Sequence, residues 1–254
     1  MLTGTEIAIA GLAAVAAGLA NALAGGGTLI SFPALIALGI PPVAANVTNT
    51  VALSPGYLGG ALAQRGDLNG QATRLILLVP AAIMGGLIGA VILLFVSAAI
   101  FPVLVPFLIL FGCGLLLAQE RVRNWIRNRP ESRGSYPGDR HSPLPVTLAS
   151  IYGGYFGAGL SVIVLAVLGI SYDDSLTRLN ALKQCISLAT NTAAAVVFVF
   201  SGSVIWSYAA VMAMGALAGG AIGGKIAGTI DPAMLKWVVV GMGTVVGIVM
   251  LLRI

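Results

Sequence analysis

The fold of this 254-residue chain is decided by residues 18–42, which read GLANALAGGGTLISFPALIALGIPP. The stretch has no charge, and three consecutive glycines separate its two apolar segments. It lies within an uncharged run from Ile7 to Gln64, and three more uncharged runs cover residues 75–119, 142–172 and 184–224. Each run exceeds the roughly 18 apolar residues that indicate a membrane-spanning helix. The chain is therefore predicted to be an all-α protein that crosses a membrane several times.

The composition excludes several other classes of protein. Hydrophobic residues make up 58% of the chain and charged residues 8%, whereas soluble domains carry roughly 25% charged residues. The two cysteines lie in apolar runs and do not form a disulfide framework, and continuous apolar runs are not those of a transmembrane β-barrel. The sequence contains neither H-E-x-x-H nor G-x-S-x-G. We therefore expect no enzyme, no cofactor, no metal site and no nucleic-acid partner.

The chain divides into two similar halves. Residues 119–143 hold six arginines and the sole histidine, and are predicted to be an aqueous loop between a first membrane repeat at 1–118 and a second at 144–254. The motif G-G-x-x-G occurs at 85–89 and again at 219–223. The N-terminus has Glu6 but no Lys or Arg among its first six residues, which disfavours a cleaved signal peptide.

Each half is predicted to contain a short helix pair followed by three transmembrane helices. The predicted helices lie near residues 6–20, 28–39, 43–64, 72–96 and 98–118 in the first half, and near 144–156, 160–170, 174–201, 204–228 and 232–252 in the second. At 1.5 Å per residue, the leading pairs reach about 16 to 22 Å, against a hydrocarbon core of about 30 Å. Each pair is therefore predicted to be a re-entrant hairpin with its glycine turn at membrane depth, where surrounding protein or a water-filled cavity must satisfy its backbone.

The positions of Lys and Arg predict an orientation. If each short pair returns to its starting side, nearly all basic residues, including the six arginines of the central loop, lie on one side of the membrane, which the positive-inside rule makes the cytoplasm. Both termini are then extracytoplasmic. The three crossings in each half invert the second repeat relative to the first, and inverted repeats are typical of secondary transporters.

The glycine turns at residues 25–27 and 157–159 are candidate anion sites. Helices are predicted to begin at Thr28 and at Leu160 or Ser161, and a helix N-terminus presents unpaired N–H groups and a partial positive charge. Glycine lets a ligand approach the backbone closely. The alternative interpretation is that these glycines only allow close helix packing, as we expect for the G-G-x-x-G motifs.

Polar residues within the apolar runs complete the candidate site. Asn and Thr can donate hydrogen bonds to an oxyanion without the desolvation cost of a full charge, and interhelical hydrogen bonding is their alternative role. Lys183 is the only basic residue well inside a predicted helix, so it either attracts the anion or extends to the interface. Asp173 and Asp174 are predicted to cap the helix that follows. The substrate-binding candidates are Asn21, Gly25, Gly26, Gly27, Thr28, Thr48, Asn49, Tyr155, Gly157, Gly159, Ser161, Lys183, Gln184 and Asn191.

The sequence resembles the sulfite exporter TauE/SafE family. The resemblance is carried by residues 18–28, Pro33, Gly39 to Pro42 and Thr48-Asn49 in the first half, and by Tyr152 to Gly159, Gly169-Ile170, Lys183, Asn191 and residues 202–206 in the second. It implies a bacterial or archaeal inner-membrane permease, driven by a proton or membrane-potential gradient, that exports sulfite, an organosulfonate or a related sulfur-containing anion. It leaves open the particular anion, the coupling proton and a homo-oligomeric state. The other interpretations are an anion channel, a permease for a different anion and a structural membrane subunit.

Overall fold

A computed structural model describes residues 3–23, 25–96, 99–128, 142–226 and 233–252. Within these ranges the chain forms ten α-helices and no β-strand. The helices are α1 (Gly4–Leu23), α2 (Thr28–Ala37), α3 (Pro42–Ala63), α4 (Ala72–Phe95), α5 (Ile100–Arg127), α6 (Leu144–Tyr155), α7 (Leu160–Ser171), α8 (Leu176–Val199), α9 (Trp206–Ile226) and α10 (Ala233–Leu251). A 3-10 turn at Arg65–Leu68 lies between α3 and α4.

The length and composition of the helices make this a multi-pass membrane protein. Among the described residues, α1, α4, α5, α8 and α9 are long and apolar enough to cross a membrane. Many of their large apolar side chains point outward, including Leu12 (71% exposed), Ile76 (75%) and Phe95 (86%). Exposed apolar surface on this scale is unfavourable in water and is covered by lipid in a membrane.

Helix α1 is longer than predicted. We expected it to end near residue 20, but it continues to Leu23 and has 20 residues, which corresponds to about 30 Å. Alanine and leucine favour the helix through this region, and the chain turns only at Gly25, where φ is +81° and the backbone N–H bonds to the Ala20 oxygen at 2.6 Å. The prediction that the first limb is too short to span a membrane is therefore wrong, whereas α2, α6 and α7 have 10, 12 and 12 residues.

Helix α5 also extends beyond its predicted end at residue 118. It has 28 residues and runs to Arg127, because its last turns pack on the rest of the protein. Glu120 forms an ion pair with Lys236 on α10, and Ile126 is buried against Gly169 of α7. The first part of the predicted loop is thus helical, and its remaining residues 129–141, with Arg129, Arg133, Arg140 and His141, lie outside the described residues.

The helix packing follows the same pattern in both halves. Helix α1 packs on α9 and α6 packs on α4, while α3 packs on α9 and α8 on α4. Helices α3 and α8 contact each other, as do α5 and α10. The G-G-x-x-G motifs occupy matching places, since a Cβ at Gly86 would lie 3.1 Å from the Cα of Thr190, and one at Gly220 would lie 3.0 Å from the Cα of Gly56. Exchanging helices α1 to α5 with α6 to α10 therefore preserves these contacts, and the motif glycines permit them, as predicted.

Candidate functional site

The two glycine turns lie against each other. A Cβ at Gly25 would be 2.5 Å from the Cβ of Ser161, and a Cβ at Gly157 would be 4.0 Å from the Oγ1 of Thr28. Gly25 in the first turn therefore lies against the start of α7, and Gly157 in the second turn lies against the start of α2. Because the residues concerned are more than 120 positions apart in the chain, this contact joins the two halves. We call residues 25–28 the first tip and residues 157–161 the second tip.

Asn21 supports the first tip through its side-chain oxygen. Its Oδ1 accepts a hydrogen bond from the Gly27 N–H at 2.7 Å, and Asn21 is buried. This bond and the bond from the Gly25 N–H to Ala20 use two of the N–H groups of the turn. In the part of the chain that the structure describes, the backbone N–H groups of Gly26 and Thr28 have no acceptor.

The second tip is held in a similar way by a tyrosine. The Tyr152 hydroxyl donates to the Ala158 oxygen at 2.5 Å, and the Gly157 N–H bonds to the Tyr152 oxygen at 3.3 Å. Gly159, with φ +78°, caps α7 at Leu160, so the predicted start of this helix is confirmed. Among the described residues, the N–H groups of Gly159 and Ser161 and the hydroxyl of Ser161 have no acceptor.

Tyr155 lies just before the second tip and contacts the first half through its ring and its backbone oxygen. Its ring packs edge-on against Phe101, with 5.9 Å between centroids. Its backbone oxygen accepts a hydrogen bond from the Nδ2 of Asn46 at 3.0 Å. Asn46 on α3 therefore links the first half to the end of α6. Sequence reasoning missed this residue, although it lies one helical turn before Asn49.

Lys183 is a buried cation on α8. Its side chain is 1% exposed, and no carboxylate of the described residues lies within 4 Å of its ammonium group. Thr190 and Ser187 lie within about 40° of it around the helix, so this face is polar over several turns. The guanidinium of Arg123 on α5 is close enough to repel the Lys183 charge. Sequence reasoning did not name Ser187 or Arg123 as candidates. Arg123 was missed because it lies in the stretch predicted to be a loop.

The remaining candidates occupy different environments. Gln184 contacts the end of α1 just before the first tip, since its Nε2 donates to the Ala22 oxygen at 3.3 Å. Asn49 is 1% exposed, and its Oδ1 has no partner among the described residues. Asn191 is bound within its own helix, because its Nδ2 donates to the Ser187 oxygen at 3.1 Å. Thr48 lies apart from the tips, because its Oγ1 accepts the Ile205 N–H of the segment before α9 at 3.0 Å.

A polar cluster joins the two halves at one end of the helix bundle. It lies where α3 ends and where α4 and α8 begin, and it contains Arg65, Arg74 and Arg178. Asp174 accepts hydrogen bonds from Arg74 at 2.5 Å and from Arg178 at 2.9 Å, and Gln71 donates to the Arg178 oxygen at 3.1 Å. Partial burial raises the pKa of the Asp174 carboxyl, but the hydrogen bonds from both arginines and from the Ser175 N–H outweigh it and hold that pKa below its usual range.

The predicted capping role of the Asp173-Asp174 pair is only partly right. The residue that caps α8 is Ser175, whose hydroxyl accepts the Arg178 N–H at 3.4 Å. Asp174 accepts hydrogen bonds from Arg74, which is 100 positions away in the chain, from Arg178 and from the Ser175 N–H. In the described ranges no group of three or more His, Cys, Asp or Glu residues could hold a metal ion.

The comparison with known proteins agrees with these features. The model of the family described as "Sulfite exporter TauE/SafE" matches residues 10–250, which include both tips and Lys183. The chain belongs to this family. A "Probable membrane transporter protein" of Haemophilus influenzae is 27% identical over 224 residues, which cover 87% of this chain and 85% of the relative. The "Probable membrane transporter protein YfcA" of Escherichia coli K12 is 25% identical over 223 residues, or 84% of this chain and 77% of the relative. No solved structure matches the chain.

Proposed function

We propose that the protein is a secondary transporter that exports sulfite or a related small sulfur-containing oxyanion or organosulfonate. The observation that carries this proposal is Lys183, which is 1% exposed and has no carboxylate partner among the described residues. Burying a charge costs at least a few kcal/mol, so an ammonium group that is buried with no carboxylate among the described residues favours an anion beside it. A lysine that extended to the membrane interface would be more exposed than this.

The binding site in this proposal is the contact between the two tips. Four backbone N–H groups there, those of Gly26, Thr28, Gly159 and Ser161, have no acceptor within the described residues. They belong to or adjoin the N-termini of α2 and α7, whose partial positive charge favours an anion. The Ser161 hydroxyl, which has no partner among the described residues, adds a neutral donor. The unpartnered atoms of Asn49 and Gln184 are their amide oxygens, so in this proposal either side chain donates to the anion only after its amide turns over. Asn21, Tyr152 and Asn46 hold the tips in place through their hydrogen bonds to the backbone.

The transport mechanism we propose is alternating access between two inverted repeats. The repeated packing of α1 on α9 and of α6 on α4 supports the duplication. Helices α2, α6 and α7 are too short to cross the membrane, which supports a re-entrant arrangement around the tips. Movement of one repeat against the other would then expose the tips alternately to each side.

In this layout the chain lies in the cell inner membrane with its central loop in the cytoplasm and both termini outside. Arg74 and Arg178 lie together at one end of the helices, as the positive-inside rule requires for the cytoplasmic end. A cysteine placed at residue 135, which is outside the described residues, should react with an impermeant reagent only from the cytoplasmic side. Labelling from the periplasm would refute this orientation.

The proposal is tested by reconstituting the purified full-length protein into liposomes. Sulfite, thiosulfate, sulfoacetate, sulfate and chloride are compared in parallel, and at least one sulfur-containing anion should move faster than in protein-free liposomes. If none does, the transport proposal fails. Flux that saturates with substrate indicates a carrier, whereas flux that rises linearly indicates a channel.

Lys183 variants test the part of the proposal that rests on this residue. Replacing Lys183 with Gln should lower the transport rate roughly ten- to hundredfold, because a hydrogen bond to a charged group contributes about 1.5–3 kcal/mol, and Lys183→Arg should retain more activity than the Gln variant. Lys225→Gln is the matched control, because Lys225 is an exposed lysine at the end of α9. Equal rates for wild type and Lys183→Gln would remove Lys183 from the binding site.

A further inference from the structure

A groove on the outer surface of the helix bundle has no role in the proposed transport path. It has a volume of about 700 Å³ and lies between α3, α4 and α8. Its walls are almost entirely apolar, and the main lining residues are Leu58, Val79, Ile83, Cys185, Ala189 and Val196. Cys185, Thr192 and Val196 lie about 180–220° around α8 from Lys183. The groove is therefore on the opposite face of α8 from the buried cation and opens toward lipid.

The length of the groove along α8 matches one leaflet of a bilayer. Along α8 its lining runs from Cys185 to Val196, which corresponds to about 16 Å of helix. One leaflet contributes about half of the 30 Å hydrocarbon core. A cavity with these walls and this length fits a single acyl chain that enters from the end nearest Cys185.

Arginines lie beyond that same end of the groove. Arg178 is two turns before Cys185 on the same face of α8, about 10 Å along the helix axis, and Arg65 follows the end of α3 two turns after Leu58. Arg65 is exposed and forms no ion pair with another described residue. Arg178 is bound through Nε to Asp174 and through Nη1 to the Asn69 oxygen, and its side chain stays 35% exposed. Asp67 and Asp174 are the carboxylates nearby, and Asp174 is already paired.

We propose that this groove binds one anionic phospholipid, with an acyl chain against α4 and α8 and the phosphate at Arg65 and Arg178. Basic residues at the membrane surface next to a cleft between transmembrane helices are the usual arrangement for an anionic headgroup. Since α3 and α4 belong to the first half and α8 to the second, the lipid would bridge the two halves at a boundary that any relative movement must change.

The test is native mass spectrometry of the full-length protein in detergent, titrated with palmitoyl-oleoyl phosphatidylglycerol or phosphatidylcholine. One phosphatidylglycerol should remain bound more tightly than phosphatidylcholine. Arg65→Gln should weaken phosphatidylglycerol binding about fivefold, since one basic residue near the surface contributes about that factor. Arg121→Gln is the matched control, because Arg121 is exposed on α5 away from the groove. Equal affinity for the two lipids, or equal loss in both arginine variants, would overturn the proposal.

The acyl-chain part of the proposal has its own variants. Ala189→Trp fills the groove and should displace phosphatidylglycerol, whereas Met214→Trp adds the same side chain at an exposed site on α9 and should not. Dihexanoyl phosphatidylglycerol, whose chains are too short to fill the groove, should bind the wild type more weakly than the long-chain lipid, so the test does not depend on the folding of a variant. Three results would contradict a lipid in this groove. They are unchanged phosphatidylglycerol binding by Ala189→Trp, equal binding of the short-chain and long-chain lipids by the wild type, and a protein dimer that Ala189→Trp dissociates.

Discussion

The contact between the two tips can be tested by comparing two glycine-to-alanine substitutions with the same backbone strain. Gly25 and Gly39 both have φ +81°, so alanine at either position costs about 1–2 kcal/mol of left-handed strain. A Cβ at Gly39 meets nothing within 4 Å, whereas one at Gly25 lies 2.5 Å from the Cβ of Ser161. Gly25→Ala must therefore move Ser161 by about 1 Å to reach the normal separation of carbon atoms.

This displacement should affect both stability and transport. Overpacking of this kind costs about 1–3 kcal/mol, so Gly25→Ala should unfold at a lower temperature than Gly39→Ala in detergent. If the Ser161 N–H and hydroxyl bind the anion, losing one such bond costs about 1.5–3 kcal/mol, or roughly ten- to hundredfold in transport rate per folded protein. Gly39→Ala should transport at close to the wild-type rate.

Two results would refute this reasoning. Equal melting temperatures for the two variants would mean that Gly25 and Ser161 do not touch. A less stable Gly25→Ala whose folded fraction transports at the wild-type rate would leave the tips as packing elements only. Melting is followed by tryptophan fluorescence, and transport by liposome flux normalised to the folded protein.

Two further predictions concern the contacts that join the halves. Gly86→Ala should be less stable than Gly114→Ala by about 1–3 kcal/mol, because both glycines are helical but a Cβ at Gly86 meets the Thr190 backbone while one at Gly114 meets nothing within 4 Å; equal melting temperatures would contradict the packing. Asp174→Asn should cost about 1–3 kcal/mol at pH 7, because it removes charged hydrogen bonds to Arg74 and Arg178. The folded-state pKa of Asp174 is lowered, so its stabilisation is complete above the ordinary value of 3.8 and is lost as the pH falls through the lowered pKa. The melting temperatures of wild type and Asp174→Asn should therefore begin to converge as the pH falls below 3.8, and a difference that does not shrink on acidification below that value would mean that the carboxylate is not the source.

The sequence predicted most helix boundaries within two residues, because glycines and prolines mark where apolar runs stop. It failed at α1 and α5 for related reasons. Nothing in residues 21–23 breaks a helix, so α1 continues to the glycine turn, and the charged residues after Gln119 are good helix formers that α10 and α7 hold against the bundle. A run of charged residues shows that a segment lies in water, but it does not show whether that segment is irregular. The charges therefore could not distinguish a helix that extends out of the membrane from a loop.

The candidate site shows the same division between local and long-range information. The sequence alone determined a multi-helix membrane protein and indicated both tips and Lys183. It could do so because glycine clusters, a lysine well inside a predicted helix and polar residues in apolar runs are all local features. The tertiary structure decided which of these groups meet: Gly25 with Ser161, Asn46 with Tyr155, and Arg74 with Asp174 are each at least 100 positions apart. It also assigned Asn21 to its own turn and placed no carboxylate of the described residues at Lys183. Such pairings depend on how the helices pack together, and the periodicity of the sequence carries no record of that packing.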